Sequence, residues 1–252
     1  MIAVPLNSFA SQPLETETAR ILPAGTAKVE ATGEYQTSRD GTERAWPFLI
    51  EYGFNGRTEL TIEPVFSTVI RPKSGPATRG PGDLEVTLTQ LLRAESQSAP
   101  ALAIAGEIKF PTARNTLIGT GKADYSAFAI ASKRLERLDV HGNLGYTIVG
   151  RPAGIRLKNI INYAIAEEYH FSPKLDIVAE LVGNTSSTGD TVEGSSSGSG
   201  TLPPEAAGAE NAILAGVRFY VRPSLFFALG LSYDNNHALL IRPGVTYRFG
   251  RR

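Results

Sequence analysis

Apolar and polar residues alternate along most of this 252-residue chain. Between Leu138 and Ile148, apolar or small residues occupy the even positions and mostly polar residues occupy the odd ones. Successive side chains of a β-strand point to opposite faces, so a segment of this kind has one apolar face and one polar face. The pattern therefore predicts a β-strand here.

The same two-residue period recurs along the chain with no helical pattern in between. It predicts twelve strands, near residues 26–37, 44–54, 57–67, 82–92, 101–110, 122–133, 138–148, 155–169, 174–183, 212–221, 225–233 and 239–249. The sixth is the least regular, because Phe128 and Ile130 fall on the same face as Asp124. The count is even, as a single-chain barrel with both ends on one side requires.

Two folds have such strands, a soluble sheet with an apolar core and a membrane barrel with lipid outside and water inside. The polar face carries too many carboxylates for a packed interior, and a soluble sheet leaves its edges open. Aromatic residues such as Trp46, Tyr52 and Phe110 lie near strand ends, as in the interfacial girdle of a membrane barrel. The prediction is all-β: a transmembrane antiparallel barrel of about 12 strands in a lipid bilayer.

The lengths of the connections predict the orientation of the barrel. The short ones lie at residues 55–56, 135–136 and 222–223, and the long ones near 68–81, 111–121 and 184–211. Outer-membrane barrels have short periplasmic turns and long external loops. We therefore expect residues 26–250 to form a barrel with both termini in the periplasm. Residues 1–25 form an extended N-terminal segment that is a candidate plug of the lumen.

Composition limits the classes of function. The 25 Lys and Arg residues balance the 25 Asp and Glu residues, which argues against a nucleic-acid partner. Cysteine is absent and no apolar run approaches the length of a membrane-spanning helix. The first residues show no signal peptide, so we expect this sequence to be the mature form of an exported protein.

Charged residues at inward positions are the candidate pore lining. They are Glu30, Glu34, Glu59, Glu63, Asp83, Glu85, Glu107, Lys109, Asp139, His141, Lys158, Arg218, Arg242 and Arg248. Most of the carboxylates belong to the first five predicted strands and most of the cations to the last five. Opposed walls of unlike charge create a transverse field that favours dipolar solutes. In the alternative, these charges pair into salt bridges and neutralise one another.

The three histidines are the candidates for catalysis. His141 has no serine at the neighbouring inward positions of its strand, and His170 is assigned to a periplasmic turn. His237 lies with Asp234 in a tight external loop, where such a pair could activate water. Metal-ligand spacing and Gly-rich phosphate loops are missing from the sequence. We therefore predict no catalytic, metal or cofactor residues and no enzyme activity.

Several short motifs resemble a known family. They are ETARILPAG at 17–25, LIEYGF at 49–54, GDLE at 82–85, EIKFPT at 107–112, SKRL at 132–135 and NLGY at 143–146. Over roughly residues 17–250 they resemble the outer-membrane proteins of the meta-pathway phenol-degradation family. Members are regarded as channels or transporters, some associated with the breakdown of aromatic compounds. The family offers no catalytic residues to carry over.

The resemblance implies a channel or transporter of the bacterial outer membrane. The solute of this channel would be a small molecule, aromatic or otherwise amphipathic. The barrel-assembly machinery would insert the protein into the outer membrane. Two alternatives remain, a membrane-embedded hydrolase that uses the Asp/His pair at the rim and a structural or adhesive barrel. The sequence leaves the solute, the gating mechanism and the oligomeric state open.

Overall fold

A computed structural model of the protein describes residues 12–188 and 209–250. In these two ranges the chain forms fourteen strands. They are β1 (Ala27–Thr32), β2 (Glu34–Thr37), β3 (Gly41–Gly53), β4 (Thr58–Pro72), β5 (Thr78–Gly80), β6 (Leu84–Arg93), β7 (Ala101–Phe110), β8 (Asp124–Leu135), β9 (Leu138–Ile148), β10 (Ile160–Ser172), β11 (Leu175–Asn184), β12 (Glu210–Arg222), β13 (Leu225–Asp234) and β14 (Leu239–Phe249). No helix among the described residues is long and apolar enough to cross a bilayer.

The strands form a closed antiparallel barrel of twelve, which confirms the predicted fold class. The ring closes where β1 pairs with β14, with Ala27 opposite Phe249 and Thr32 opposite Gly244. The two further strands are short. β2 continues β1 beyond Gly33, and β5 pairs with the end of β4 ahead of β6. Closure gives each of the twelve barrel strands in the described ranges a partner on both sides, as a sheet within a bilayer requires.

Two connections differ from the sequence prediction. The predicted loop at 68–81 is largely strand, because β4 extends to Pro72 and β5 occupies Thr78–Gly80. The strand predicted from residue 155 begins only at Ile160. The Ile155 N–H instead closes a turn by donating to the Pro152 carbonyl oxygen at 3.2 Å, and the Lys158 N–H donates to the Ser187 carbonyl oxygen at 2.7 Å, so neither group is available to pair with β9. Of the predicted loop at 184–211, residues 189–208 lie outside the described residues.

The connections divide the barrel into two rims. The short-turn rim is formed by residues 54–57, 94–100, 136–137, 173–174 and 223–224. The long-loop rim includes residues 73–77, 111–123, 149–159 and 235–238. Ala27 and Phe249, which pair at the ends of the first and last strands, lie at the short-turn rim. That this rim faces the periplasm stays a prediction.

The two faces of the barrel wall differ in chemistry. Outward positions expose large apolar side chains such as Ile104, Leu144 and Ile213. Inward positions carry polar and charged side chains, and many of these are buried, for example Glu59 and Asp139. Apolar side chains toward the surroundings and charged ones toward the interior are the arrangement of a membrane barrel.

Candidate functional site in the barrel lumen

Residues 12–25 run through the interior of the barrel, and we call them the luminal segment. The segment leaves the lumen at the short-turn rim, where the Gly25 N–H donates to the Gly53 carbonyl oxygen at 2.8 Å. A Cβ atom on Gly53 would lie 2.4 Å from the carbonyl oxygen of Leu22. The close passage of the segment along β3 therefore depends on glycine at this position.

Inward side chains of the wall form hydrogen bonds with the backbone of the luminal segment. They replace the neighbouring strand that an extended segment would have in a sheet. Asn143 accepts from the Glu17 N–H at 2.7 Å and donates to the Glu17 carbonyl at 2.9 Å. Glu59 accepts from the Leu22 N–H at 2.7 Å. Buried backbone groups need such partners, and each bond to a charged group contributes about 1.5–3 kcal/mol.

Two arginines fix the other end of the segment. Arg218 Nε donates to the Gln12 carbonyl at 2.7 Å, and Arg242 Nη1 donates to the Pro13 carbonyl at 3.2 Å. Arg242 Nη2 also donates to Glu15 Oε1 at 2.7 Å. The segment is thus attached to the wall at both ends and in the middle.

Glycines of the wall make room for Pro13. A Cβ atom on Gly216 would lie 2.6 Å from Pro13 Cγ, and one on Gly230 would lie 2.5 Å from Pro13 Cβ. The proline ring therefore fits against these inward positions on β12 and β13 only because they are glycines. A side chain at either position would collide with the ring. No pattern along the sequence pairs these glycines with Pro13.

An apolar patch on β7 and β8 receives Ala19. Ala19 is 1% exposed and packs against Ile130 and three inward alanines, Ala101, Ala103 and Ala105, with Phe128 beside them. This contact explains the irregular sixth predicted strand. Ile130 points inward with Asp124 because the luminal segment covers this part of the interior, and Phe128, at the edge of the covered patch, borders the open lumen.

A charged cluster lies between the luminal segment and the short-turn rim. Arg20 Nη2 donates to Asp139 Oδ1 and to Glu95 Oε2, both at 3.0 Å. His170 bonds Asp139 at 3.0 Å through Nε2 and Asp176 at 2.9 Å through Nδ1. The prediction for His170 was wrong: it is a buried residue of β10 and does not lie in a turn.

Glu95 joins this cluster from the connection at residues 94–100. Partial burial alone would raise the pKa of its carboxyl. The backbone N–H of Arg134 and the guanidinium of Arg20 outweigh burial and lower that pKa below the usual value. Glu95 is therefore ionised at neutral pH and holds Arg20 at the rim.

His141 does have a serine neighbour, which the sequence reasoning missed. Ser132 lies opposite His141 on the adjacent strand, and its Oγ is 2.8 Å from His141 Nδ1. His141 Nε2 lies 3.6 Å from Glu168 Oε1. Ser132 is 1% exposed, and its Oγ also accepts from the Ala19 N–H at 2.9 Å. With the luminal segment in place, Ser132 cannot meet a substrate.

Asp139, His141 and Glu168 form the one group of three or more potential metal ligands in the described part of the chain. Ligand atoms of Asp139, His141 and Glu168 lie within 4.8 Å of one another. However, Arg20 and Arg134 already bond Asp139, and Arg218 bonds Glu168 at 2.7 Å. Paired in this way with guanidinium groups, the carboxylates are poor ligands for a further cation.

The predicted Asp/His pair at the long-loop rim does not form. His237 Nδ1 lies 2.7 Å from the Tyr233 hydroxyl. Asp234 Oδ1 instead accepts from the backbone N–H groups of Asn236 and Ala238, at 2.9 and 2.7 Å. The carboxylate stabilises the turn, so this hypothesis for a hydrolase loses its site.

A cavity of about 610 Å³ occupies the lumen on the other side of the luminal segment. Gln12 and Leu14 through Glu17 form part of its lining, and Asn184, Glu210 and Asp234 line it at the long-loop rim. Seven residues of the predicted pore lining border it: Glu30, Glu34, Glu63, Glu85, Glu107, Lys109 and Arg242.

The other predicted pore-lining residues lie elsewhere. Those buried away from the cavity are Glu59, Asp139, His141 and Arg218. Asp83 accepts from the Ala113 N–H at 2.8 Å beside the long-loop rim. Arg248 donates to the Pro223 carbonyl at 3.2 Å at the short-turn rim. Lys158 is exposed in the connection at 149–159, because β10 begins later than predicted.

The inward cations lie next to carboxylates. Lys28 contacts Glu30 at 3.2 Å and Glu51 at 2.7 Å, and Arg242 contacts Glu34 at 3.0 Å. These pairs agree with the alternative in which inward charges form salt bridges. In the described barrel, the inward cations of these pairs do not form a separate wall opposite the carboxylates.

Comparison with known proteins identifies the family. Residues 10–249 match the family model described as "Putative MetA-pathway of phenol degradation". The chain belongs to this family. The resemblance found in the short motifs is thereby confirmed. The sequence matches none of the curated proteins with which it was compared.

Solved structures of outer-membrane channels and porins share the fold. The COG4313 outer membrane channel from Pseudomonas putida F1 has a TM-score of 0.66 and 12% identity, covering 95% of this chain and 100% of the channel. The NanC porin has a TM-score of 0.60 and 10% identity, covering 87% and 98%. The KdgM porin in complex with disordered oligogalacturonate has a TM-score of 0.58 and 12% identity, covering 88% and 99%.

Proposed function

We propose that this protein is an outer-membrane channel for small molecules and that the luminal segment closes it at rest. The observation that carries the proposal is the cavity, which extends from the long-loop rim to the luminal segment. On the other side of the segment lies the buried charged cluster around Asp139 and His170. Passage through the barrel requires the segment to move.

The family and the fold support this function. The solved structures with the same fold include an outer membrane channel and two porins, and the family is described by its link to phenol degradation. An aromatic or otherwise amphipathic solute also suits the cavity, because Phe128, Leu49 and Leu240 line it alongside its carboxylates. The bilayer is the partner of the outward face, and the barrel-assembly machinery would insert the barrel with both termini in the periplasm.

The decisive experiment compares the full chain with a variant that lacks residues 2–22, both reconstituted in planar bilayers. The deletion leaves β1 and its pairing with β14 in place, because β1 begins at Ala27. We expect brief openings for the full chain and long-lived conductance for the deletion variant. Equal conductance of the full chain and the deletion variant would show that the luminal segment does not close the channel. No conductance from either protein, with no uptake of small aromatics, sugars or amino acids into proteoliposomes, would refute the channel.

A further inference from the structure

We propose that the cavity selects solutes that combine a cationic group with an apolar part, such as aryl- and alkylamines. This inference rests on the proposed channel function and adds the chemical class of the solute. It is carried by the charge balance of the cavity, by like charges on adjacent strands, and by an apolar side of the same cavity.

The lining of the cavity is strongly acidic. It contains eleven carboxylates and two cationic side chains, Lys109 and Arg242. Both cations are already engaged, Lys109 with Asp124 and Arg242 with Glu34 and Glu15. Lys28, which lies outside the lining, contacts two more of the carboxylates, Glu30 and Glu51. Three cations therefore stand against eleven carboxylates, and the formal charge of the cavity is negative although that of the whole chain is zero.

Carboxylates from three adjacent strands and from the luminal segment converge in this cavity. Glu63 on β4 lies directly opposite Glu85 on β6, and Glu107 on β7 follows on the next strand. Glu17 approaches from the luminal segment and lines the same cavity. Like charges directly opposite one another destabilise a sheet, so a cation between them is stabilising.

Two of these carboxylates lack a cation of the protein. In the ranges that the structure describes, Glu17 and Glu63 form no salt bridge with a lysine, arginine or histidine. Glu107, by contrast, accepts hydrogen bonds from Thr87 and Ser126 at 3.3 and 3.2 Å. A cation from the solution would supply the counter-charge that no side chain of the described residues gives to Glu17 and Glu63. Inside a barrel of low-dielectric wall the field of these groups is focused, which raises the local concentration of cations.

The cavity also has an apolar side. Phe128, Leu49, Ile160, Val182 and Leu240 line it together with the carboxylates. A Cβ atom on Gly145 would lie 2.4 Å from the Phe128 ring, so glycine lets the ring lie against the wall. The face of such a ring attracts an organic cation. A volume of about 610 Å³ suits one small molecule, since ligand pockets span about 300–1,000 Å³.

The test uses the full chain in planar bilayers and in liposomes. Reversal potentials in a KCl gradient give the permeability ratio of K⁺ to Cl⁻, and liposome uptake compares benzylamine, benzyl alcohol and benzoate. These three solutes share a ring and differ in charge. We expect benzylamine to enter about tenfold faster than benzoate, within the range of electrostatic steering, with K⁺ strongly preferred over Cl⁻.

The double variant E63Q/E85Q tests the residues. It removes two like charges that lie opposite one another on β4 and β6, and both preferences should fall several-fold. The matched control is E167Q, the same change at an exposed outward position of β10, which should leave both preferences unchanged.

The outcomes separate the two proposals. Conductance without charge preference, or with preference for anions, refutes the cationic class and leaves the channel standing. A cation preference that survives in E63Q/E85Q refutes the assignment to these glutamates. Absence of all conductance and uptake refutes the channel itself.

Discussion

At the scale of single residues, the contact between Gly230 and Pro13 leads to a test of closure. A Cβ atom on Gly230 would lie 2.5 Å from Pro13 Cβ, closer than side chains approach. The change G230A must therefore displace Pro13. Overpacking of this kind costs about 1–3 kcal/mol, which shifts a closed-to-open equilibrium about fivefold or more. We expect a larger open fraction in single-channel recordings of the variant.

The control for this prediction is G106A. An added Cβ atom on Gly106 meets nothing within 4 Å, so the open fraction should match that of the wild type. An unchanged open fraction in G230A would mean that the contact at Pro13 does not contribute to closure.

The pairing of Ser132 with His141 shows what sequence reasoning cannot reach at this scale. Their strands and their inward orientation follow from the alternation of residues, which is local. Which residue lies opposite His141 depends on the register between β8 and β9. That register is set by packing across the wall and by the turn at 136–137, so the neighbour could not be predicted from the order of residues alone.

At the scale of elements, Arg20 links the luminal segment to the short-turn rim. Its guanidinium bonds Asp139 and Glu95, and Asp139 retains Arg134 and His170 when Arg20 is removed. The change R20A should therefore loosen the segment without leaving a bare buried charge. A hydrogen bond to a charged group is worth about 1.5–3 kcal/mol, so local opening should become about tenfold more frequent.

Hydrogen exchange of the backbone N–H groups of Glu17, Ala19 and Leu22 reports this opening, because wall side chains accept from each of them. The matched control is R137A, which removes an exposed arginine from a turn at the same rim. If exchange is equally slow in R20A and R137A, the link at Arg20 does not hold the segment.

The elements differ in how well the sequence predicts them. The twelve barrel strands were predicted because their inward and outward residues alternate with a period that any strand must have, whereas the three-residue β5 lies in a stretch that was predicted to be a loop. The luminal segment has no such period, since its hydrogen bonds go to side chains on separate strands, among them Glu59, Asn143 and Glu180. Its extended character could be predicted, but its path and its contacts could not.

At the scale of the whole molecule, a net charge of zero conceals a separation of charge. Carboxylates gather in the cavity, while exposed cations such as Arg71, Lys73 and Arg114 lie at or beside the long-loop rim. Composition gave the balance but not this distribution, which arises when the wall closes and brings distant strands together. The field inside the barrel is therefore a property of the fold and not of the composition.

The separation of a lipid-facing surface from a hydrated interior gives the broadest prediction. Ile165 and Ala164 are neighbours on β10, but Ile165 is outward and 50% exposed, whereas Ala164 lines the cavity.

A lysine on the lipid face of a barrel costs about 2–4 kcal/mol near the midplane of the bilayer. The change I165K should therefore lower the free energy of unfolding in lipid vesicles by about this amount. At the adjacent inward position, A164K places its charge in the acidic cavity and should cost much less. Denaturant titration of both variants measures the difference. Equal losses would mean that the two faces of the wall meet the same surroundings, and the membrane barrel would have to be abandoned.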